Sequence, residues 1–155
     1  TKDGLLTQAG SETFWDRSTL YALRGVYAVG ATEKATEFMK KYSATRLLGD
    51  HVPYAIEAWP EGSQRHLSAE SALYARIITE GMFGIRPTGF KNFTLTPRIP
   101  KDWSFMNLKN IHAFDTCFDV EVKRLDNGKL EVLITHGAKS KKHTIKEGGT
   151  LKIQL

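Results

Sequence analysis

Residues 68–96 read SAESALYARIITEGMFGIRPTGFKNFTLT, and the spacing of apolar residues changes within this stretch. Up to about residue 83, Leu73, Tyr74, Ile77, Ile78 and Met82 recur at helical spacing, with alanines leaving little polar surface. Gly84 then suits the position just past a helix end, which predicts a helix from Ser68 to about Phe83. Phe90 to Thr96 reads as a strand ended by Pro97 and Pro100. Helices before residue 86 and strands after it make the expected fold class α+β.

Working backward, a first helix is expected from Ser11, as N-cap with Glu12 in the first turn, to about Val29. Phe14, Leu20, Leu23, Val26 and Tyr27 fall near one stripe, and Gly30 stops it. A second helix is expected over about Glu33–Tyr42, with Thr32 as cap and Ala35, Phe38, Met39 and Tyr42 on one face. The short Gly30-Ala31 link makes the two an antiparallel αα-hairpin. Working forward, strands are expected at Phe105–Ile111 and Ala113–Lys123, then a return through Leu130, Val132 and Ile134 after the turn Asp126-Asn127-Gly128. His143–Lys146 and Thr150–Leu155 read as a further hairpin around Glu147-Gly148-Gly149. Such a run of short antiparallel strands predicts a β-sandwich. The domain reading is a helical segment at 1–86 and a C-terminal sandwich at 87–155.

A third helix this apolar needs more cover than one hairpin supplies, so further helices outside these 155 residues are expected to pack on it. Thr1–Gly10 begin without Met and read as a starting point within a longer chain, whose N-terminal part is then a partner of this one.

Composition narrows the function classes. No run of 18 apolar residues occurs, so no membrane-spanning helix is expected. Residues 1–85 hold 9 Lys/Arg against 10 Asp/Glu, and residues 86–155 hold 13 against 7. The basic half lacks any recognition-helix or aromatic nucleic-acid pattern, and its lysines alternate with apolar residues, as Lys152 does between Leu151 and Ile153. Edge-protecting lysines account for that, and no nucleic-acid partner is expected. The single Cys117 allows no intrachain disulfide and no cysteine-cluster metal site, and reads as a small buried or half-buried side chain. Trp15 and Trp103 read as core or interface residues.

Chemistry-bearing residues concentrate in Gly49–His66, GDHVPYAIEAWPEGSQRH. Pro53 and Pro60 favour extended backbone before them, so Glu57 and Glu61 are not neighbours on one helical face. They are the candidate catalytic carboxylates. Glycosidic hydrolysis uses two, about 5–5.5 Å apart for retention and about 6.5–9.5 Å for inversion. Tyr54 and Trp59 can stack on a sugar ring, and His51, Arg65 and His66 can hold hydroxyls. The His51–His66 spacing matches no metal-ligand signature, so neither metal nor organic cofactor is expected. A solvated charge is the ordinary role of a loop Glu, and Asp50 can satisfy loop backbone amides.

Three segments resemble the closing section of six-hairpin (α/α)6-barrel glycosidases, in particular bacterial α-L-rhamnosidase-like enzymes or a related bacterial sugar-active family. Glu57-x-Trp59 followed by Ser63-x-x-His66 looks like the segment in which such enzymes carry a base carboxylate. Glu80-Gly81-Met82-Phe83-Gly84-Ile85-Arg86-Pro87 resembles the exit from their last barrel helix, and Gly89-Phe90 through Pro97, Pro100 and Trp103 the start of their C-terminal sandwich. The resemblance implies a carbohydrate substrate, Glu57 as general base of an inverting hydrolysis, and export to the periplasm or beyond. Arg65 stands where those enzymes usually have Asn, and Glu61 is an additional acid. Their general acid lies earlier in the barrel. A non-catalytic carbohydrate-binding or barrel-capping role is the alternative.

Overall fold

The computed structural model describes residue 12 and residues 14–47, 58–59 and 68–155. It is mixed α+β, with three helices and two antiparallel sheets of three and four strands, plus one short strand pair. Backbone contacts group it into two compact units, Thr1–Gly81 and Met82–Leu155.

In the first unit, strand β1 (Phe14–Trp15) leads directly into helix α1 (Asp16–Ala28), and α2 spans Thr32–Arg46. Strand β2 (Ala58–Trp59) pairs antiparallel with β1, Phe14 opposite Trp59 and Trp15 opposite Ala58. That pairing explains why α1 begins at Asp16 and not near Ser11: Trp15 is extended, with φ −79° and ψ 108°. Ser11 lies outside the described residues. The second helix is longer than its pattern suggested, running to Arg46, and Thr32 is its first turn while Ala31 occupies the cap. Helix α3 (Ser68–Arg76) continues into a π-helical turn, Ile77–Met82.

Gly30 closes α1 as anticipated. At φ 85° it lets its own N–H reach Tyr27 O at 2.9 Å while Ala31 N–H reaches Val26 O at 3.2 Å, the paired bonds of a Schellman end. The chain reverses there, so the end of α1 meets the start of α2, where Tyr27 Oη lies 2.8 Å from Thr36 Oγ1. Helix α3 runs parallel to α1: Arg17 pairs with Glu70 near their starts, and Arg24 with Glu80 farther along. At Gly81 a Cβ would stand 3.0 Å from the Tyr27 ring, so the missing side chain lets the π turn close on that buried ring. Leu20, Leu23, Tyr27, Ala35, Met39, Tyr42, Leu73 and Ile77 form the core.

The second unit builds its three-stranded sheet from β3 (Arg86–Gly89), β4 (Asn92–Leu95) and β9 (Leu151–Gln154), in the order β3-β4-β9. The four-stranded sheet is β5 (Phe105–Ala113), β6 (Thr116–Arg124), β7 (Lys129–His136) and β8 (Lys139–Lys146), in sequence order. Alternation buries Phe118, Val120 and Val122 on β6 and Leu130, Val132 and Ile134 on β7. Phe93 of β4 stacks on Phe118 of the other sheet with centroids 5.3 Å apart. The Asp126-Asn127-Gly128 turn forms as read, with Leu125 N–H to Lys129 O at 2.9 Å. Arg124 ties down the crossing between the sheets, donating to Ile99 O at 3.0 Å.

Several readings change. The β8–β9 hairpin does not exist: β9 pairs with β4, Ile153 opposite Phe93, because only there does its apolar face meet the buried aromatics. Phe114 and Asp115 are not strand residues but a two-residue turn with φ 58° and 56°. Strand β3 carries Pro87 and is exposed throughout, so it shows no alternation; as an edge strand it tolerates the missing N–H. Cys117 is exposed, since the alternation that sends Phe118 inward sends its neighbour out.

Gly84 has φ 63°, and a Cβ there would stand 2.3 Å from Thr96 O, whose own N–H bonds back to Gly84 O at 3.2 Å. Gly84→Ala is expected to destabilise the second unit by about 2 kcal/mol or more, read by urea unfolding. Unchanged stability would show that this backbone contact relaxes freely.

Candidate functional site

Three helices each end their apolar stripe with a charged residue, and the three charges converge. Asp16 opens the stripe Asp16-Leu20-Leu23-Tyr27 on α1, Arg46 closes Met39-Tyr42-Arg46 on α2, and Glu70 opens Glu70-Leu73-Ile77 on α3. All three side chains are buried. Arg46 Nε lies 3.4 Å from both Asp16 carboxylate oxygens, and Tyr42 Oη donates to Asp16 Oδ2 at 3.3 Å. Arg17 Nε donates to Glu70 Oε1 at 2.6 Å. Around them Tyr42 stacks on Tyr74 with centroids 6.1 Å apart, and Tyr74 Oη shares a 2.7 Å hydrogen bond with Ser43 Oγ.

The electrostatics follow from burial. Desolvation pushes the Asp16 carboxyl up to about 6, against the opposing pull of Arg46 and Tyr42, with Glu70 adding a small push in the same direction. Burial, then the neighbouring Asp16, raises the Tyr42 phenol, which keeps its proton and stays a donor. Glu70 Oε2 and Thr19 Oγ1 are buried with no hydrogen-bond partner among the described residues. A buried carboxylate oxygen without a donor is costly, so among the described residues this end of the unit leaves acceptor capacity unused.

At the far end, Glu80 takes Arg24 at 2.9 Å and a short contact from Arg76. Partial burial pushes its carboxyl up, but the two guanidinium groups outweigh it and the net direction is down.

Of the residues singled out from the sequence, Glu57, Glu61, Arg65, His66, His51 and Tyr54 lie outside the described residues, as does the Trp59 side chain. The described part of that loop is β2, and its pairing with β1 sets the backbone of Ala58–Trp59 against the residues immediately before Asp16 and Arg17. The buried charge cluster was not anticipated. Its signal was available: a charged residue at stripe spacing on each helix, where a solvated charge would sit on the opposite face. Trp15 and Trp103 are both half-buried. Among the described residues no three His, Cys, Asp or Glu side chains assemble that could hold a metal ion, and no helix is long and apolar enough to cross a membrane.

Comparison with protein-family models, with curated proteins and with solved structures found no match for this chain.

Asp16 generates a pH signature. Its folded value of about 6 exceeds the ordinary 3.8, so the folded chain binds more protons than the unfolded one between these values. Its contribution to stability is therefore present below pH ~4 and lost as pH rises through ~6. Asn at this position does not titrate. The stability gap between wild type and Asp16→Asn should shift in the variant's favour by roughly 1–2 kcal/mol from pH 4 to pH 7. Urea unfolding across that range reads it, and a gap independent of pH would show an ordinarily ionising Asp16.

Proposed function

We propose that this chain is the C-terminal part of a glycoside hydrolase, in which residues 1–86 close an (α/α)6 barrel and residues 87–155 form a β-sandwich. Glu57, with Glu61 as second choice, supplies one catalytic carboxylate. Trp59 and Tyr54 stack on the sugar, and Arg65, His66 and His51 hold its hydroxyls.

One observation carries the reading. The β1–β2 pair fastens Ala58–Trp59, the residues that follow Glu57 in sequence, to the start of α1, beside a charge cluster that locks three helices at that end. A catalytic loop needs such a rigid mount, because a loss of about 1 Å in placement can cost ~10²-fold in rate. The helix directions add support: α1 packs on both the antiparallel α2 and the parallel α3, the repeat from which stacked α-hairpins are made. Tyr21, Gly25 and Val29 form an exposed line on α1, and Ala72 and Ala75 are exposed on α3, surfaces that neighbouring barrel helices would cover. In the second unit the Phe93–Phe118 contact between two sheets with buried apolar faces is what a sandwich core requires.

In the intact parent protein, Glu57→Gln should lower turnover by about 10²–10⁴-fold with the fold retained. An aryl α-L-rhamnoside and a panel of neutral oligosaccharides, followed by release of phenol or reducing ends, provide the readout. Turnover within a few-fold of wild type would remove Glu57 from the chemistry.

A further inference from the structure

A cavity of about 530 Å³ opens in the second unit between β8, an edge of the four-stranded sheet, and β9, an edge of the three-stranded one. Its charge is out of keeping with its position. Residues opposite each other across a strand pair share a face, and on β8 Lys141 is opposite Ile134, His143 opposite Val132, and Lys139 opposite His136. Val132 and Ile134 are core residues. Lys139, Lys141 and His143 therefore stand on the face that carries the apolar core one strand away.

Lys152 of β9 borders the same cavity, but it is opposite Thr94, so its side chain leaves the strand on the face away from Ile153. Among the described residues none of these three lysines has a carboxylate partner, and no Asp or Glu lines the cavity. Lys141 Nζ instead reaches Gln154 O of β9 at 3.4 Å, which holds its ammonium across the opening. His143 Nε2 is buried and unpartnered. The floor is apolar, from Ile134 and Ile153.

Inward charges on an edge strand can serve only to block edge pairing. That role needs no buried imidazole nitrogen left without a partner. We propose that this cleft binds an acidic sugar, its carboxylate or sulfate group held by Lys139, Lys141 and His143 and its ring face lying on the two isoleucines. Ammonium groups converging on one anion make charge-assisted hydrogen bonds, the strong kind. An inorganic anion would leave the apolar floor unused. The choice of a sugar as the ligand's body rests on the hydrolase reading above, whereas the demand for an anion rests on the cleft alone.

The test titrates the full chain with oligogalacturonate, a sulfated oligosaccharide of similar length, a neutral maltooligosaccharide, inorganic sulfate and a DNA oligonucleotide of matched charge. Calorimetry and amide chemical shifts follow each. Binding by either acidic sugar, with shifts centred on residues 134–143 and 151–155 and none from the neutral sugar, is the expected result, and the two acidic arms tell carboxylate from sulfate. K139S/K141S should weaken binding at least about tenfold. The charge-matched K142S/K146S, on the outer face of β8, should leave it within about twofold, because its lysines do not face the ligand. Equal loss from both double variants would overturn the proposal, as would shifts located elsewhere. So would inorganic sulfate or DNA binding as tightly as the sugars, or no acidic sugar binding at millimolar concentration. Should the inner-face variant aggregate, the shift map on the wild-type chain decides alone. Failure here with parent turnover intact would remove the cleft and leave the hydrolase reading standing; the reverse outcome would separate them the other way.

Discussion

Charge buried between helices must be met by opposite charge, and in the first unit this requirement fixes how three helices come together. Removing Arg46 from Asp16, or Arg17 from Glu70, would leave a carboxylate in a desolvated site, a situation that costs on the order of 3–5 kcal/mol. The pairs can form only if the start of α1 meets the end of α2 and the start of α3 at one level. An apolar stripe alone tolerates sliding by a turn. A buried ion pair does not, and so the cluster selects the register of helices that are otherwise held by interchangeable aliphatic contacts. The same level is where β1 gives way to α1 and where β2 is fastened.

The second unit is organised differently. Its sheets are specified by two-residue alternation, and the side chains that alternate inward are nearly all apolar until the edge at β8, where lysines and a histidine take over. The crossing from β8 to β9 is governed by the same rule. Ile153 gains a buried place opposite Phe93, whereas pairing with exposed, lysine-rich β8 would have left it in water. An edge that carries cations inward resists pairing with another edge and also places a polar opening beside an apolar core.

Much of this architecture was legible. The switch of period near residue 86, the helix stop at Gly30 and the Asp-Asn-Gly turn each rest on local chemistry, and each appears in the structure. What escaped was non-local. Phe114-Asp115 turns without glycine because strands already paired on both sides impose it; β3 forms because β4 offers it an edge; and α1 starts late because Trp15 is claimed by a partner more than forty residues away. On the site, the loop carboxylates came from residue type and resemblance, while the buried cluster required noticing that Asp16, Arg46 and Glu70 continue apolar stripes. Charges are ordinarily assigned to the wet face of a helix, and that habit hides the exceptions on which a helical unit is pinned.

The central claim is that the charge cluster holds the strand pair on which the proposed catalytic loop is mounted. Hydrogen exchange at the amides of Phe14–Trp15 and Ala58–Trp59, compared between the wild-type chain and Arg46→Met, tests it directly. The account predicts that exchange there speeds by at least about tenfold while residues 116–136 of the second unit keep their protection. Equal protection of the strand pair in both proteins would contradict it.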